Sequence, residues 1–581
     1  MSKNRIKLKL TENALFLLKS RYLWQDKNGN TIETPLDLIK RVCGFVAKAE
    51  KSPELKDYWQ KKFEQVMIKM EFWPGTRTLL NAGKEKPQMS NCFVLPIEDS
   101  IESIFKTLYD SSVVKKYGGG CGFNFSEIRP AGDIVGDTPG LAAGPVKLMK
   151  LFDSASDIYQ QQGRYISGNL VALNADHPDI LEFISCKEKD GVFPNINISI
   201  AATNQFMEAA IKNEKWKLIN PRNKEIVTVL PAGTILRLAA HYAHKSGDPG
   251  MLFLDNINKD NPTLRDMGPI TATNPCGEQP LYPYEACNLG YINLTRFIKS
   301  DKNVKKKEFD FEHLRDVCKI AVRFMDNIVE LSWFPLIEIT NMVRGLRRIG
   351  LGVCGWADCL AMLEIPYDDS EAFKLAEKVM KVVSDASHEA SLELGEEKGP
   401  FPLIEKSIWA KSNRKPRNVT TNTNPPSSNN SIIFNVSFGI EPYFGLVFSQ
   451  HVMGGKIIQN VNNLLLERLE KAHIKIPNLF ELINENKGSI QYIKQIPKDI
   501  REVFKTTYDI NYKDHIKMQA AFQKYTDNSI SKTINLPNSA IEDDVLNAYI
   551  MAWRLGCKGI TIYRDGSKAN QVVQFNGKKQ N

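Results

Sequence analysis

The run Asn274-Pro275-Cys276-Gly277-Glu278 sets a carboxamide, a thiol and a carboxylate at every second position. These groups can donate a hydrogen bond, exchange a hydrogen atom or an electron, and take up a proton. Pro275 lacks a backbone donor and Gly277 frees the backbone, so this core reads as a constrained loop that presents side chains. If the loop is extended, its alternation aims all three groups the same way. A second thiol, Cys287, follows in Tyr284-Glu285-Ala286-Cys287-Asn288-Leu289-Gly290, and a third, Cys92, stands far upstream in Ser90-Asn91-Cys92-Phe93-Val94-Leu95. One cysteine alone is read first as a small buried hydrophobe. Asn-Pro-Cys-Gly-Glu followed by Cys-Asn-Leu-Gly is a constellation, not a lone cysteine.

The elements that must hold these residues alternate between helix and short strand. Residues 35–70 read as helical and belong to an N-terminal helical region over 1–75. Further helical periodicity falls at 312–332, with Leu314, Val317, Cys318, Ala321, Val322, Met325 and Ile328 on one face, and at 370–394, 457–472 and 543–555. Short apolar runs at Cys92–Pro96, Ile196–Ala201, Ile432–Phe434 and Ile560–Tyr563 read as strands between them. Such interleaving predicts an α/β domain with many strands over 76–570, followed by a flexible tail at 571–581. The Gly/Pro clusters at 117–122, 130–145 and 247–250 read as loops.

Composition narrows the class. The 581-residue chain is 42% hydrophobic and 25% charged, enough to build a large core. A net charge of +9 with scattered basic residues suits solubility or the attraction of anionic nucleotides, and the sequence carries no polynucleotide-binding signature. The N-terminal charges precede no apolar segment of a secretory signal, and no apolar run spans a membrane. Ten dispersed cysteines without a Cys-x-x-Cys pair argue against a disulfide framework and against structural zinc, so a reducing cytoplasm is expected. His241 and His244 lie three apart without a completing ligand, and no metal site is expected.

With these motifs in hand, the chain resembles the catalytic subunit of ribonucleotide reductase, nearest the adenosylcobalamin-dependent branch. The resemblance runs from Leu10–Leu15 through Gly75–Gly83, Gly119–Ser126, Asp176–Ile180, Gly247–Gly250, Arg348–Val353 and Gly439–Pro442 to Gly559–Ser567, in family order over nearly the whole length. It implies a ten-stranded α/β barrel of two five-stranded halves with the Cys276 loop as a central finger, a fold that periodicity alone does not give. It also implies a radical replacement of the ribose 2′-hydroxyl by hydrogen, with Cys276 as thiyl radical, Glu278 as base on the 3′-hydroxyl and Asn274 bonding the ribose. Cys92 and Cys287 match the pair that ends each turnover as a disulfide, which thiol exchange can reverse. The other cysteines, at 43, 121, 186, 318, 354, 359 and 557, are read as packing residues. Thr78, Ser90 and the phosphate loop Pro426-Ser427-Ser428-Asn429 match substrate contacts, and Asp99, Ser100 and Arg164 match the deoxynucleotide or ATP effector site. The loops 131–140 and 162–169 match those that relay effector identity. Asp99-Ser100 also reads simply as the N-cap of a helix beginning at Ile101.

Radical sources divide the family. The sequence contains no Tyr-Tyr pair of the metal-radical enzymes, and its tail does not resemble a glycyl-radical motif, so adenosylcobalamin is the implied cofactor. Three departures stand out. Ser428 occupies a glycine position of the usual Pro-Thr-Gly-Thr phosphate loop, and a side chain there restricts close backbone approach. The arginine-rich effector loop is reduced to Arg164. The last cysteine is Cys557, so the family's C-terminal cysteine pair is not found; truncation, a thioredoxin-like thiol donor or a small dithiol each accounts for that. No N-terminal ATP-binding regulatory domain is evident. The alternatives to a self-sufficient reductase, acting on di- or triphosphates and possible as a homodimer, are the large subunit of a metal-radical enzyme and a degenerate nucleotide-binding homologue.

Overall fold

The computed structural model describes residues 8–136, 140–158, 160–161, 165–166, 168–299, 307–452, 456–567 and 573–574. The strands that position the site are β1 (Phe72–Pro74), β2 (Cys92–Val94), β3 (Gly120–Asn124), β4 (Asn169–Asn174) and β5 (Ile196–Ala202). They continue as β6 (Gly250–Phe253), β7 (Ala286–Asn293), β8 (Ile349–Cys354), β9 (Thr533–Leu536) and β10 (Gly559–Arg564). All ten belong to one sheet. β2, β3, β4, β5 and β6 run parallel side by side. β7 and β8 are parallel, as are β9 and β10. The halves meet antiparallel twice, β6 against β10 and β7 against β2.

The barrel closes through a segment that the sequence did not announce. Residues 420–424 lie between β8 and β9, bridging Leu351 to Asn422 and Asn424 to Ile530 in parallel register. They complete the second half of five. β1 and β2 share one edge of β7, at Gly290–Ile292 and Ala286–Cys287 respectively, so they fill a single place in the circuit. Thr421-Asn422-Thr423-Asn424 is polar and weak in strand propensity. Its amides find partners inside: Asn422 Oδ1 accepts from the Asp527 N–H at 2.9 Å, and the Asn424 side chain donates to Thr526 Oγ1 at 3.2 Å.

The N-terminal region is helical, with Thr34 and Asp37 forming a capping box before Pro35–Val46 and Ser52 capping Pro53–Ile68. Its junction with the barrel helices is an ion network. Arg323 of the Phe311–Leu331 helix holds Glu50 at 2.9 and 2.7 Å, and Lys398 adds a contact at 3.2 Å. Burial opposes the charge on Glu50, but these donors and Asn327 bring it down to about 2. The expected apolar face of Phe311–Leu331 is wholly buried.

Three expected elements differ. The expected loop at 117–122 gives way to strand β3 from Gly120, because its glycines let the finger pass against a strand. Ile432–Phe434 is the end of a helix, Ser428–Phe434, whose buried residues 430, 431, 433 and 434 trace one helical face; three apolar residues are too few to separate helix from strand. Residues 457–461 pair in a hairpin with Val447–Val452, and the helix begins only at Asn463, where Asn462 caps it. This stretch introduces a small apolar core of its own, built on Leu465, Leu469, Ile483, Ile490, Ile496 and Phe504. Of the tail, residues 573–574 are described, pairing with Ser449 and Gln450.

Candidate active site

Cys276 sits at the turn of a short hairpin whose strands, Ala272–Thr273 and Pro280–Leu281, pass through the barrel. Glycine makes the passage possible. A Cβ on Gly122 would lie 1.7 Å from the Thr273 carbonyl oxygen, and one on Gly120 would lie 3.0 Å from the Pro275 ring. On the opposite wall, a Cβ on Gly350 would meet the Gln279 amide at 2.4 Å. The sequence motifs Gly119–Ser126 and Arg348–Val353 thus mark the two strands the finger passes. Polar bonds fix it: Asn197 donates to the Pro275 carbonyl at 3.0 Å, Asn124 to Thr271 at 2.9 Å, and Thr423 and the Ser529 N–H to the Glu278 carbonyl at 2.8 and 2.9 Å.

The tip is a turn, not an extended strand. The Gly277 N–H bonds the Asn274 carbonyl at 3.0 Å, Gly277 has φ +81°, and Asn274 Oδ1 accepts from the Gln279 N–H at 2.9 Å. The turn, rather than alternation along an extended strand, sets how the three groups are presented. Asn274 and Glu278 are buried against Cys92: the Asn274 side chain donates to Cys92 Sγ at 3.1 Å, and the Cys92 thiol reaches Glu278 Oε1 at 3.5 Å. Cys276 instead opens onto a cavity of about 540 Å³ lined by β5, β6, β9, β10 and residues 438–444.

Cys92 and Cys287 stand directly opposite each other across β2 and β7. Antiparallel partners have Cα atoms ~4.5–5.5 Å apart, within disulfide reach. Both thiols are buried, and both are free. Burial pushes Cys92 well above the ordinary thiol range, with Glu278 adding to the effect. Burial also raises Cys287, while the Arg348 cation pulls the other way. Burial lifts Glu278 above the usual carboxylate range, and its Oε2 is buried without a hydrogen-bond partner. The surrounding barrel walls, with Glu278, raise Cys276 as well, although its side chain is itself exposed to the cavity.

Buried polar atoms near this core lack partners: Thr78 Oγ1 and Asn91 Oδ1 join Glu278 Oε2. Such atoms are costly unless something bonds them. Ser90 is buried beside them. The 426–429 loop lies against the same region, since Asn429 donates to Thr76 at 3.4 Å and Asn430 to the Pro74 carbonyl at 3.1 Å. Ser428 and Pro426 are exposed, whereas the Ser427 hydroxyl is engaged by the Gly439 N–H at 2.6 Å and by Ser431 at 2.7 Å. Sequence reasoning missed Tyr291, buried on β7, whose hydroxyl donates to the Pro426 carbonyl at 2.8 Å. Its inward position follows from the strand alternation that turns Cys287 inward.

The region matched to an effector lies elsewhere. Ser100 caps the Ile101–Lys116 helix by accepting from the Ser103 N–H at 3.1 Å. Asp99 accepts from Arg129 Nε at 2.7 Å, a partner the sequence did not suggest. Arg164 and part of each loop at 131–140 and 162–169 lie outside the described residues. Six of the seven cysteines read as packing residues are buried, Cys186 being half-buried.

A closed barrel of two parallel five-stranded halves, with a thiol carried on a central finger near a pair of facing thiols, is the architecture of a thiol-based oxidoreductase. The family model for the ribonucleotide reductase barrel domain matches residues 90–430 and 412–563, and that for the ribonucleotide reductase all-alpha domain matches 8–87. The chain belongs to the ribonucleotide reductase family. It is 40% identical to the vitamin B12-dependent ribonucleoside-diphosphate reductase of Thermoplasma acidophilum, over 97% of this chain and 80% of that protein. It is 39% identical to the protein of the same description from Mycobacterium tuberculosis, over 98% of this chain and 80% of the relative. In fold it matches the Actinobacillus ureae class Id ribonucleotide reductase alpha subunit with a TM-score of 0.79 at 23% identity, covering 96% and 97% of the two chains.

Proposed function

We propose that this protein reduces ribonucleoside diphosphates to deoxyribonucleotides by thiyl-radical chemistry, with adenosylcobalamin as its radical source. The substrate and cofactor follow the descriptions of its relatives at 40% and 39% identity. The observation that carries the reading is the two-sided finger. Cys276 opens onto a cavity that Glu278, Asn274 and Cys92 do not line, yet it stays within electrostatic reach of Glu278 and Cys92, which gather with Asn274 beside the finger.

The cavity suits part of a large cofactor with apolar ring faces and an amide-bearing polar rim. Its size is that of ordinary small-molecule sites. Leu170, Met251, Leu252, Phe438 and Phe444 would pack the cofactor, and Asn197, Ser199 and Thr561 would bond its polar edges. Held there, adenosylcobalamin would supply the carbon-centred radical that Cys276 receives. The protein's own part is to hold Cys276 at the boundary between that cavity and the substrate.

On the substrate side, the Cys276 thiyl takes the 3′-hydrogen, Glu278 takes the proton of the 3′-hydroxyl, and Asn274 orients the ribose. The unpartnered Thr78, Asn91 and Glu278 atoms are groups a ribose or phosphate would bond, with Ser90, the 426–429 backbone, Ser428 and Asn429 completing the site. Cys92 and Cys287 supply two electrons and two protons and end as a disulfide, which a thioredoxin-like protein or a small dithiol reduces. Asp99, Ser100 and Arg164 form the effector site for a deoxynucleotide or ATP. A homodimer is supported by Ile101, Phe105 and Tyr109, which stand exposed on one helix. No described helix is long and apolar enough to cross a membrane; a cytoplasmic location fits a chain whose described cysteines are all free.

The test is turnover of each ribonucleoside diphosphate with adenosylcobalamin and dithiothreitol and no second polypeptide. Deoxynucleotide formation is expected. Turnover only after addition of a metal-radical subunit would overturn the cofactor assignment.

A further inference from the structure

The Arg348–Val353 motif contributes more than a glycine path for the finger. Gly350 faces the finger, and Arg348, the residue immediately before β8, turns its side chain into the interior, where it is held by Glu285, Thr420 and Asn528. The β7–β8 ladder starts at Asn288 opposite Ile349, so Cys287 and Arg348 are the residues immediately before that first pair. Arg348 is buried, 3% exposed. Its Nε donates to Glu285 Oε1 at 2.6 Å, and Nη1 donates to Thr420 and Asn528 at 3.0 and 2.9 Å. Its Nη2 is buried without a partner. Glu285, two residues before Cys287, is fully buried and also accepts from the Tyr282 N–H at 2.9 Å.

A guanidinium with a free N–H beside one thiol makes the pair unequal. Cys92 has a carboxylate, Glu278, for its neighbour and no cation bonded to it. Cys287 has Arg348, tempered by Glu285 and the more distant Glu278.

We propose that Arg348, held by Glu285, is a positioning residue that stabilises the negative charge developing on Cys287 whenever the Cys92–Cys287 bond is broken or made. This rests on the reading of these thiols as the reducing pair. In reduction by a dithiol, the external thiolate attacks Cys92 Sγ and the sulfur–sulfur bond breaks. The electron pair leaves on Cys287 Sγ, which then takes a proton. The second external thiol closes a cyclic disulfide and releases Cys92 as a thiol. One protein disulfide and one dithiol thus become two protein thiols and one cyclic disulfide. Exchange is faster when the leaving thiolate is better stabilised. The cation therefore sets the direction of attack, with Cys92 struck and Cys287 expelled.

The experiment compares the full-length wild type with Arg348→Lys and with the double variant Arg348→Gln/Glu285→Gln, which leaves no buried charge unpaired. Each is oxidised with excess oxidised dithiothreitol, and the disulfide is mapped by peptide mass spectrometry. The rate of its reduction by dithiothreitol is then followed from pH 6 to 9, beside the equilibrium constant of the same exchange. The expected result is a reduction rate at least tenfold lower in the double variant, an equilibrium constant within threefold of wild type, and recovery of most of the rate in Arg348→Lys. A structural role alone would shift stability and equilibrium without this selective kinetic loss. Equal rates in wild type and double variant would overturn the proposal. Absence of a Cys92–Cys287 disulfide in oxidised wild type would instead overturn the reducing-pair reading itself.

Discussion

The barrel's two halves meet antiparallel at two seams, and the seams have opposite characters. At β2–β7 a thiol faces a thiol in a dry interior, with Glu278, Asn274 and Arg348 around them. At β6–β10, Met251 faces Ile560 and Leu252 faces Gly559, and these residues line the open cavity that Cys276 looks into. The backbone arrangement is the same. Side chains decide which seam keeps hydrogen-donating thiols protonated by burial and which admits a ligand. The finger stands between, so one thiol can communicate with both.

The comparison breaks first at its centre. Cys276→Ser is expected to lower deoxynucleotide formation on the order of a thousandfold or more, because an alcohol O–H resists conversion to a radical far more than a thiol S–H. Its thermal unfolding should barely move, since a solvent-open side chain contributes little packing. Normal turnover by this variant would end the thiyl assignment.

Cys92→Ser and Cys287→Ser come next. Each is expected to lose about a hundredfold in sustained turnover while binding nucleotide as wild type does, because the dithiol seam works as a unit. If either variant turns over steadily with dithiothreitol, the seam is not the electron source.

The glycine path offers a structural test. Gly122→Ala would place a methyl group 1.7 Å from the Thr273 oxygen, so the finger must shift. A loss of ~1–3 kcal/mol in urea unfolding is expected, with a larger relative loss of activity. An equally stable, fully active variant would mean the finger is not held against β3.

The smallest effect lies away from both seams, at the His388–Asp527 pair. The two are 2.8 Å apart, and Asp527 also accepts the Thr421 N–H. Burial opposes ionisation of Asp527, yet His388 and the Thr421 donor bring it from 3.8 to about 2, while the Asp527 charge raises His388. Asp527 therefore stabilises above pH ~4, and that contribution, about 2 kcal/mol, is lost as pH falls through about 2. His388 stabilises fully below pH ~6.5 and loses its contribution as pH rises through its raised value. The difference in Tm between wild type and His388→Ala should be largest between pH 4.5 and 6 and shrink toward pH 9. A pH-independent difference would remove the ion pair from the account.

Legibility followed the same line of division. Helices with long apolar faces, such as Phe311–Leu331, could be read because burial repeats every third or fourth residue. The segment at 420–424 could not, since its stability comes from its bridges to flanking segments and from amide partners distant in sequence. The run Ile432–Phe434 was ambiguous because three residues carry no period. Asp99 and Ser100 were legible as a cap, but Arg129 became visible as a partner only when the chain folded.

What the sequence determined by itself was a chemical inventory and its local constraints. A thiol, an acid and an amide sit on a loop that Pro275 and Gly277 constrain, one further cysteine stands in a strand-like run, and another follows nine to eleven residues after the loop. The tertiary structure alone decided that Cys276 opens onto the β6–β10 cavity while Asn274 and Glu278 gather at Cys92, that Cys92 meets Cys287 in register, and that Arg348 enters the interior next to the start of the β7–β8 ladder. Covalent neighbours fix conformation over a few residues, because backbone sterics act at short range. Which distant groups share a dry interior depends on how the strands close, and no local pattern encodes that closure.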